Sequence, residues 1–561
     1  MKKALFLLLA LALIFPLVAC GGGGSDTSAP PSGQPTSGAS GSSPSPVIPT
    51  IAPPTGNVPT VDNNPSIVVD EVRHSGRNNS WDVSPWKNNG NVGNSLWFQI
   101  YSCLMASEAY GTLVENMHYD MAESIAFSTD KMTATIKLRD YIHDSKGNPI
   151  KAEDVIFSYE TAPTISPIYA KIRNYVSSLI AIDEYTLEMK INSSLPGTWE
   201  TLLSYVPVIS KNWYEGASDE EKANDPATTG AYRVTENVPN TKTVLEAIDD
   251  FWQKDELRSL YQIVNVKRIV YIAINESNMR SIALENGELD VTFIEPADVD
   301  RFLDDPNFIV KEVWMVNPNT LVFNCSENSP LHNNPALRKA IMHAVDWTQA
   351  AIPVSGTRFA RGHDVAPMLC SDYDDAWNDE PYYDYDPELA KQYLAEAGYN
   401  ENSGLTLSYI TRSNPQQLSA ATVIQSYLKA IGINMVFDGL DQGIYDAYTT
   451  DPTKWDLMWA ANSMPNGFVA EAWIYYFGNR GSSGNASFID DPTLQALLDD
   501  AVRIGDKASR DAFRAYTMDM VYSANISNEP VYYVARKGVD EINVSFMMNI
   551  ALNAAVFSDE F

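Results

Sequence analysis

Residues 121–160 read MAESIAFSTDKMTATIKLRDYIHDSKGNPIKAEDVIFSYE, and the middle of that run sets the kind of fold to expect. Over residues 131–139 polar and apolar residues alternate, which places Met132, Ala134, Ile136 and Leu138 on one face of an extended segment. Ser128-Thr129-Asp130 predicts the turn that opens it. Residues 185–191 (YTLEMKI) alternate in the same way and predict a second half-buried strand.

Working outward, the helices carry start and stop signals. In residues 386–399 (DPELAKQYLAEAGY), Asp386 suits the N-cap, Pro387 the first helical position and Gly398 the stop, with Ala390, Tyr393, Leu394 and Ala397 as the apolar stripe. Residues 423–433 (VIQSYLKAIGI) repeat the pattern with Val423, Ile424, Tyr427, Leu428 and Ile431 inward and Gly432 as the stop. Pro335 opens PALRKAIMHAV, where Leu337, Ile341, Ala344 and Val345 share a face. Strands and helices interleave to the end, so the class is α/β or α+β.

The N-terminus is of another kind. Lys2 and Lys3 precede an uncharged apolar run too short to span a bilayer, which reads as a secretory signal. Leu17-Val18-Ala19-Cys20 resembles the lipobox of bacterial lipoproteins, which implies cleavage before Cys20 and acylation of that residue, and two acyl chains suffice for stable anchoring. Of residues 21–60, thirty are Gly, Ser, Pro or Thr and only Asp26 is charged, so this tract cannot bury enough apolar surface to fold and reads as a tether.

The remaining residues, about 500 of the 561, are 45% apolar over the whole chain and rich in aromatics (12 Trp, 29 Tyr, 19 Phe), enough for two or three sizeable cores. A net charge of −32 argues against binding nucleic acid or anionic lipid heads. The cysteines are Cys20, Cys103, Cys325 and Cys370. With Cys20 acylated at most one disulfide can form; Cys325–Cys370 is the pair to test, and three small buried hydrophobes is the alternative.

Catalytic and metal signatures are wanting. The histidines at 74, 118, 143, 332, 343 and 363 form no HxH or HExxH spacing, so no metal site is expected. The acidic residues 372–388 lack the spacing of a calcium loop. Ser128-Thr129-Asp130-Lys131 fits S-x-x-K, yet it opens a strand where that chemistry needs a helix, and no K-T-G follows. No G-x-S-x-G, P-loop or G-x-G-x-x-G occurs. The chain is expected to be no enzyme and to need no cofactor.

Ala122-Glu123-Ser124, Leu138-Arg139, His143-Asp144 and Ala152-Glu153-Asp154-Val155, in that order, resemble the central motif of the family 5 extracellular solute-binding proteins, the oligopeptide- and dipeptide-binding receptors of ABC importers. GTLVE (111–115), TTGAYRV (228–234), DDFW (249–252), SIALENGELDV (281–291), PALRKAIMHAVD (335–346) and residues 385–399 extend the likeness collinearly, and YLKAIGINMVF and WDLMWA close it. The resemblance covers about residue 95 to about residue 540 and implies a two-lobed, periplasmic-binding-protein-like α/β clamshell of the three-domain peptide-receptor type. Its expected division is signal peptide 1–20, tether 21–60, lobe I from 61–109, 228–322 and 531–561, an inserted domain at 110–227, and lobe II at 323–530.

The resemblance further implies a monomeric receptor, lipid-anchored on the extracytoplasmic face of the bacterial cell membrane, that traps a peptide between its lobes and delivers it to an ABC permease and its ATPase. Oligosaccharides, metal chelates or opine-like compounds are the alternative ligands, and a secreted hydrolase or an adhesin is the remote one. The ligand-binding candidates are Trp459, Asn462, Trp473, Glu471, His74 and Ser75. Trp455, by contrast, is expected in the core. The early LDP stretch of the family is distorted here to Trp81-Asp82-Val83-Ser84-Pro85. Peptide receptors resembling this chain carry W-x-x-D, whose acid pairs with the peptide α-ammonium; here the run is Trp459-Ala460-Ala461-Asn462. A neutral amide supplies no counter-charge. Either the ligand lacks a free amine there, so that unblocked di- and tripeptides bind poorly, or another acid such as Glu471 takes the role.

Overall fold

The computed structural model describes residues 67–561 apart from 77–81, 88–94, 109–111, 193–194, 196, 297, 315–317, 462–466, 479–485 and 545–549. Cys20, the tether at 21–60 and Asn462 lie outside the described residues. The alternating run forms the strand Thr133–Leu138, with Ala134, Ile136 and Leu138 buried and Met132 packed against the same core. It pairs with Ala122–Phe127 and Thr186–Ile191, and Val176–Ala181 completes a four-stranded antiparallel sheet.

The helical signals hold in detail. Asp386 Oδ1 accepts from the backbone N–H groups of Glu388 (3.1 Å) and Leu389 (2.9 Å) at the start of Pro387–Glu396. Asn414 caps Pro415–Ala430, and Asn334 caps Pro335–Ala344 with Leu337, Ile341, Ala344 and Val345 all buried. Gly432 stands at φ +86°, where a Cβ would lie 2.3 Å from Glu401 Cα, so only glycine fits. One helix, Ala152–Ile165, had no start signal in the sequence because its N-cap is Lys151; Asp154 Oδ2 accepts from Lys151 N (2.8 Å) and closes the first turn from inside.

Two larger sheets carry the rest. The seven-stranded sheet runs Phe308–Trp314, Pro530–Arg536, Val291–Ile294, Val69–Ser75, Val266–Ile272, Lys242–Ala247, Tyr232–Val238. The five-stranded sheet runs Asn434–Leu440, Thr406–Arg412, Leu457–Ala461, Asn319–Phe323, Ser523–Ser527. The seven-stranded and four-stranded sheets share one apolar core, while the five-stranded sheet has its own. The chain leaves the first sheet after Trp314, enters the second at Asn319, and returns between Ser527 and Pro530. Asn319–Phe323 pairs as a whole within the second sheet, on both sides of the position 322/323.

Cys103, Cys325 and Cys370 are buried thiols, and no disulfide joins Cys325 to Cys370. Burial pushes the Cys325 thiol up to about 11, which keeps it protonated and unreactive. No helix among the described residues is long and apolar enough to cross a membrane.

Candidate functional site

Val69–Ser75 is parallel to Val266–Ile272 and to Val291–Ile294, so the carboxyl ends of these three strands share one edge. Thr406–Arg412 is likewise parallel to Asn434–Leu440 and Leu457–Ala461. Ligands of open α/β sheets bind outside such carboxyl ends, where the connecting segments leave the sheet. A cavity of about 370 Å³ lies there, within the ~300–1,000 Å³ usual for small-ligand sites. Ser277, Glu295 and Pro296 line it from the first lobe, Ile352, Pro353, Val354, Asn414, Gln416 and Gln417 from the second, and Glu529 and Pro530 from the returning crossing. The lobes touch at its edge: a Cβ on Gly356, held at φ +67°, would lie 3.7 Å from Pro296 Cβ. Arg358 Nη1 and Glu312 Oε2 approach to 3.9 Å across the same junction.

The wall is apolar apart from amides, Ser277 and two carboxylates, Glu295 and Glu529; no Lys, Arg or His is among its described residues. Behind it sits a buried polar knot. Asn319 Nδ2 donates to Ser527 Oγ (3.0 Å) and lies 3.4 Å from Glu529 Oε2, while Asn319 Oδ1 accepts from Trp459 Nε1 (3.0 Å). One amide thus ties both crossing segments to the strand that leads into residues 462–466.

The sequence candidates are distributed differently from the cavity wall. Trp459 is 1% exposed and spends its only donor on Asn319. Trp473, also 1% exposed, donates to Asp364 Oδ1 at 2.9 Å and packs on Phe513 at 4.7 Å between ring centroids. Burial raises the Asp364 carboxyl, opposed by its hydrogen bonds from Ala366 N and Trp473 and by Arg514. His74 is buried between Tyr271 and Tyr533, with Nδ1 3.0 Å from the Val291 carbonyl. That burial pushes its imidazole down to about 4, so the ring is neutral at pH 7. Ser75 is fully buried; its hydroxyl accepts from Ile274 N (3.3 Å) and its carbonyl from Thr292 Oγ1 (2.7 Å). All four side chains thus lie inside the lobes; His74, Ser75 and Trp459 brace strands of the two large sheets, and Trp473 packs between helices. Glu471 is half-buried on Val469–Phe477, and its charge adds to burial in raising the Tyr175 phenol. Trp455 is in the core, as expected, with Nε1 on the Tyr448 carbonyl at 3.0 Å.

Sequence reasoning missed Glu295, Glu529 and Asn319. The signal that could have found the first was an acid directly after the strand in LDVTFIEP. Among the described residues no group of three or more His, Cys, Asp or Glu side chains is placed to hold a metal ion.

Comparison with known proteins agrees with this architecture. The probable peptide-binding protein YejA of Agrobacterium fabrum is 23% identical over 501 residues, covering 76% of this chain and 80% of its own length. The periplasmic binding protein DppA of Helicobacter pylori, solved in complex with the peptide STSA, superposes with a TM-score of 0.70 at 19% identity, covering 88% of this chain and 98% of that one. AgaA of A. tumefaciens R10, solved in complex with agropinic acid, gives 0.69 at 20% identity, covering 87% and 98%. Residues 116–485 match the model of the bacterial extracellular solute-binding proteins, family 5 (middle region). By sequence and by its two sheets joined through a pair of crossings, the chain belongs to the family 5 bacterial extracellular solute-binding proteins.

Proposed function

We propose that this chain is the ligand-capturing receptor of an ABC importer, takes peptides into the interlobe cavity and passes them to the permease as a monomer. Acyl chains on Cys20 and the tether at 21–60 would hold it on the outer face of the cell membrane. The observation that carries the reading is the cavity at the carboxyl ends of two sheets whose cores are separate. Lobes built that way can close on a ligand without breaking either core. An extended peptide offers the walls its main-chain groups as an added strand would. Asn462 and Glu471 are the ligand contacts proposed from the sequence, while His74, Ser75, Trp459 and Trp473 would act by holding the walls. Residues 110–227, around the four-stranded sheet, form the proposed inserted domain.

The neutral Asn462 and the agropinic acid bound by AgaA favour a second reading, the same receptor for a non-peptide solute. Mass spectrometry of ligand released by mild denaturation separates the two. Peptide masses are expected; sugar, opine or chelate masses would move the protein to the second reading, and turnover of added peptides would sink the receptor reading altogether.

A further inference from the structure

The lobes are joined by more than the chain that runs between them. Glu312 stands on Phe308–Trp314, the edge strand of the first sheet, opposite Tyr532 of Pro530–Arg536. Its Oε1 accepts from Trp314 Nε1 at 2.9 Å and its Oε2 from the Tyr532 hydroxyl at 3.1 Å. Burial and then the Glu312 charge raise the Tyr532 phenol, so this hydroxyl stays a donor, and Arg358 opposes the rise. Trp314 ends the strand from which the chain leaves this sheet, and Tyr532 lies in the strand on which it returns. The carboxylate is therefore held at the foot of both crossings by two neutral donors. Among the described residues the one cation within 4.0 Å of it is Arg358 of the second lobe, with Nη1 3.9 Å from Oε2. Arg358 is fixed in its turn along the chain. It follows Gly356, which ends the helix Trp347–Ser355, and precedes Ala360, whose N–H and carbonyl both bond to the backbone of Asn528 on the returning crossing (2.9 and 2.7 Å).

We propose that Glu312 and Arg358 form a latch between the lobes, which stabilises the interlobe arrangement of this structure and so sets ligand affinity without touching the ligand. The proposal rests on the receptor function above. At 3.9 Å the charges attract but are not hydrogen-bonded, so a displacement of about 1 Å makes or breaks the direct contact. A rotation of the lobes turns on the crossings and carries Arg358 against a carboxylate that stays with the first lobe. A pair that is stronger in one arrangement than in another shifts the balance between them, and ligand affinity shifts with it. Both side chains are more than a third exposed, and a pair of that kind is worth up to about fivefold.

Small-angle scattering of the ligand-free protein reads the arrangement, and calorimetry with penta-alanine and its N-acetyl form reads affinity. Glu312→Gln, which keeps an acceptor for Trp314 and Tyr532, and Arg358→Gln should displace the radius of gyration in the same sense. Wild type moved from low salt to about 1 M NaCl should follow them, because the pair is screened. Each variant should change probe affinity about two- to fivefold in one direction, and the double variant no more than either alone. Arg358→Lys, which keeps the charge, should stay close to wild type. If neither probe binds, the peptide reading falls and the scattering alone decides the latch. Unchanged scattering in both glutamine variants, additive effects in the double variant, or an Arg358→Lys protein that behaves like Arg358→Gln would overturn it.

Discussion

Replacing His74 with glutamine removes an imidazole that takes up a proton when the chain unfolds and not when it is folded. Its side chain is wholly enclosed, and burial is the first cause of its depressed value of about 4, with Arg280 adding to it against the bond to the Val291 carbonyl. In the unfolded chain the ring titrates near ~6.5. The folded value lies below the unfolded one, so between these values the unfolded state binds the extra proton and stability falls as pH falls. From this group alone the loss is about 2 kcal/mol at pH 5 and about 3 kcal/mol at pH 4, and near zero at pH 7. Glutamine at position 74 can still donate to the Val291 carbonyl, so its own cost should not vary with pH. The assay is urea denaturation of His74→Gln and wild type at several values between pH 7 and pH 4.5, following fluorescence. The difference between the two proteins cancels every other titrating group. The wild type should lose about 2 kcal/mol more than the variant between pH 7 and pH 5. Parallel curves would mean that the ring protonates in the folded state, and the account of a neutral packing histidine would fall.

Asp120 titrates with the opposite sign: burial raises its carboxyl to about 6, against hydrogen bonds from Gln262 and Cys103. It should add about 1 kcal/mol of stability as pH falls from 7 to 5, a gain that Asp120→Asn loses in the same melts. Cys20→Ser should release the protein from the membrane fraction while leaving ligand affinity unchanged; a variant that stays membrane-bound without acylation refutes the anchor. Small-angle scattering should show a smaller radius of gyration with saturating ligand, and an unchanged value counts against closure of the lobes. Asn462→Asp should tighten binding of free-amine peptides relative to their acetylated forms; no change in calorimetry removes position 462 from the amine site.

The parts legible in the sequence were those fixed by neighbours along the chain. The strand Thr133–Leu138 announced itself by alternation, and Pro387–Glu396 by an aspartate, a proline and a glycine at the right spacings. Ala152–Ile165 escaped because its start is sealed by a carboxylate inside the first turn. The interlobe cavity escaped for a deeper reason: its lining, Glu295 and Glu529 included, comes from segments far apart in the chain that share a wall only because the chain passes between the two sheets twice, and no local pattern marks such a passage. Trp459 and Trp473 were candidates for ligand binding in the sequence, and in the structure their indole N–H groups donate to Asn319 and Asp364 inside the lobe. Composition does not distinguish a tryptophan that waits for a ligand from one that holds a wall.

The order of the seven-stranded sheet has a consequence for how the molecule is made. Pro530–Arg536 lies between Val291–Ile294 and Phe308–Trp314, pairing with both. Until that late strand arrives, the first lobe has an open slot, and Phe308–Trp314 has no sheet to join. Everything from Asn319 to Ser527, including all five strands of the second sheet, must be made before the slot can be filled. Until then the half-built sheet presents an unpaired strand edge to its neighbours, the kind of surface that invites aggregation. Loss of the last thirty or so residues should be far more damaging than their share of the mass suggests, because they are the keystone of the lobe that the chain began first.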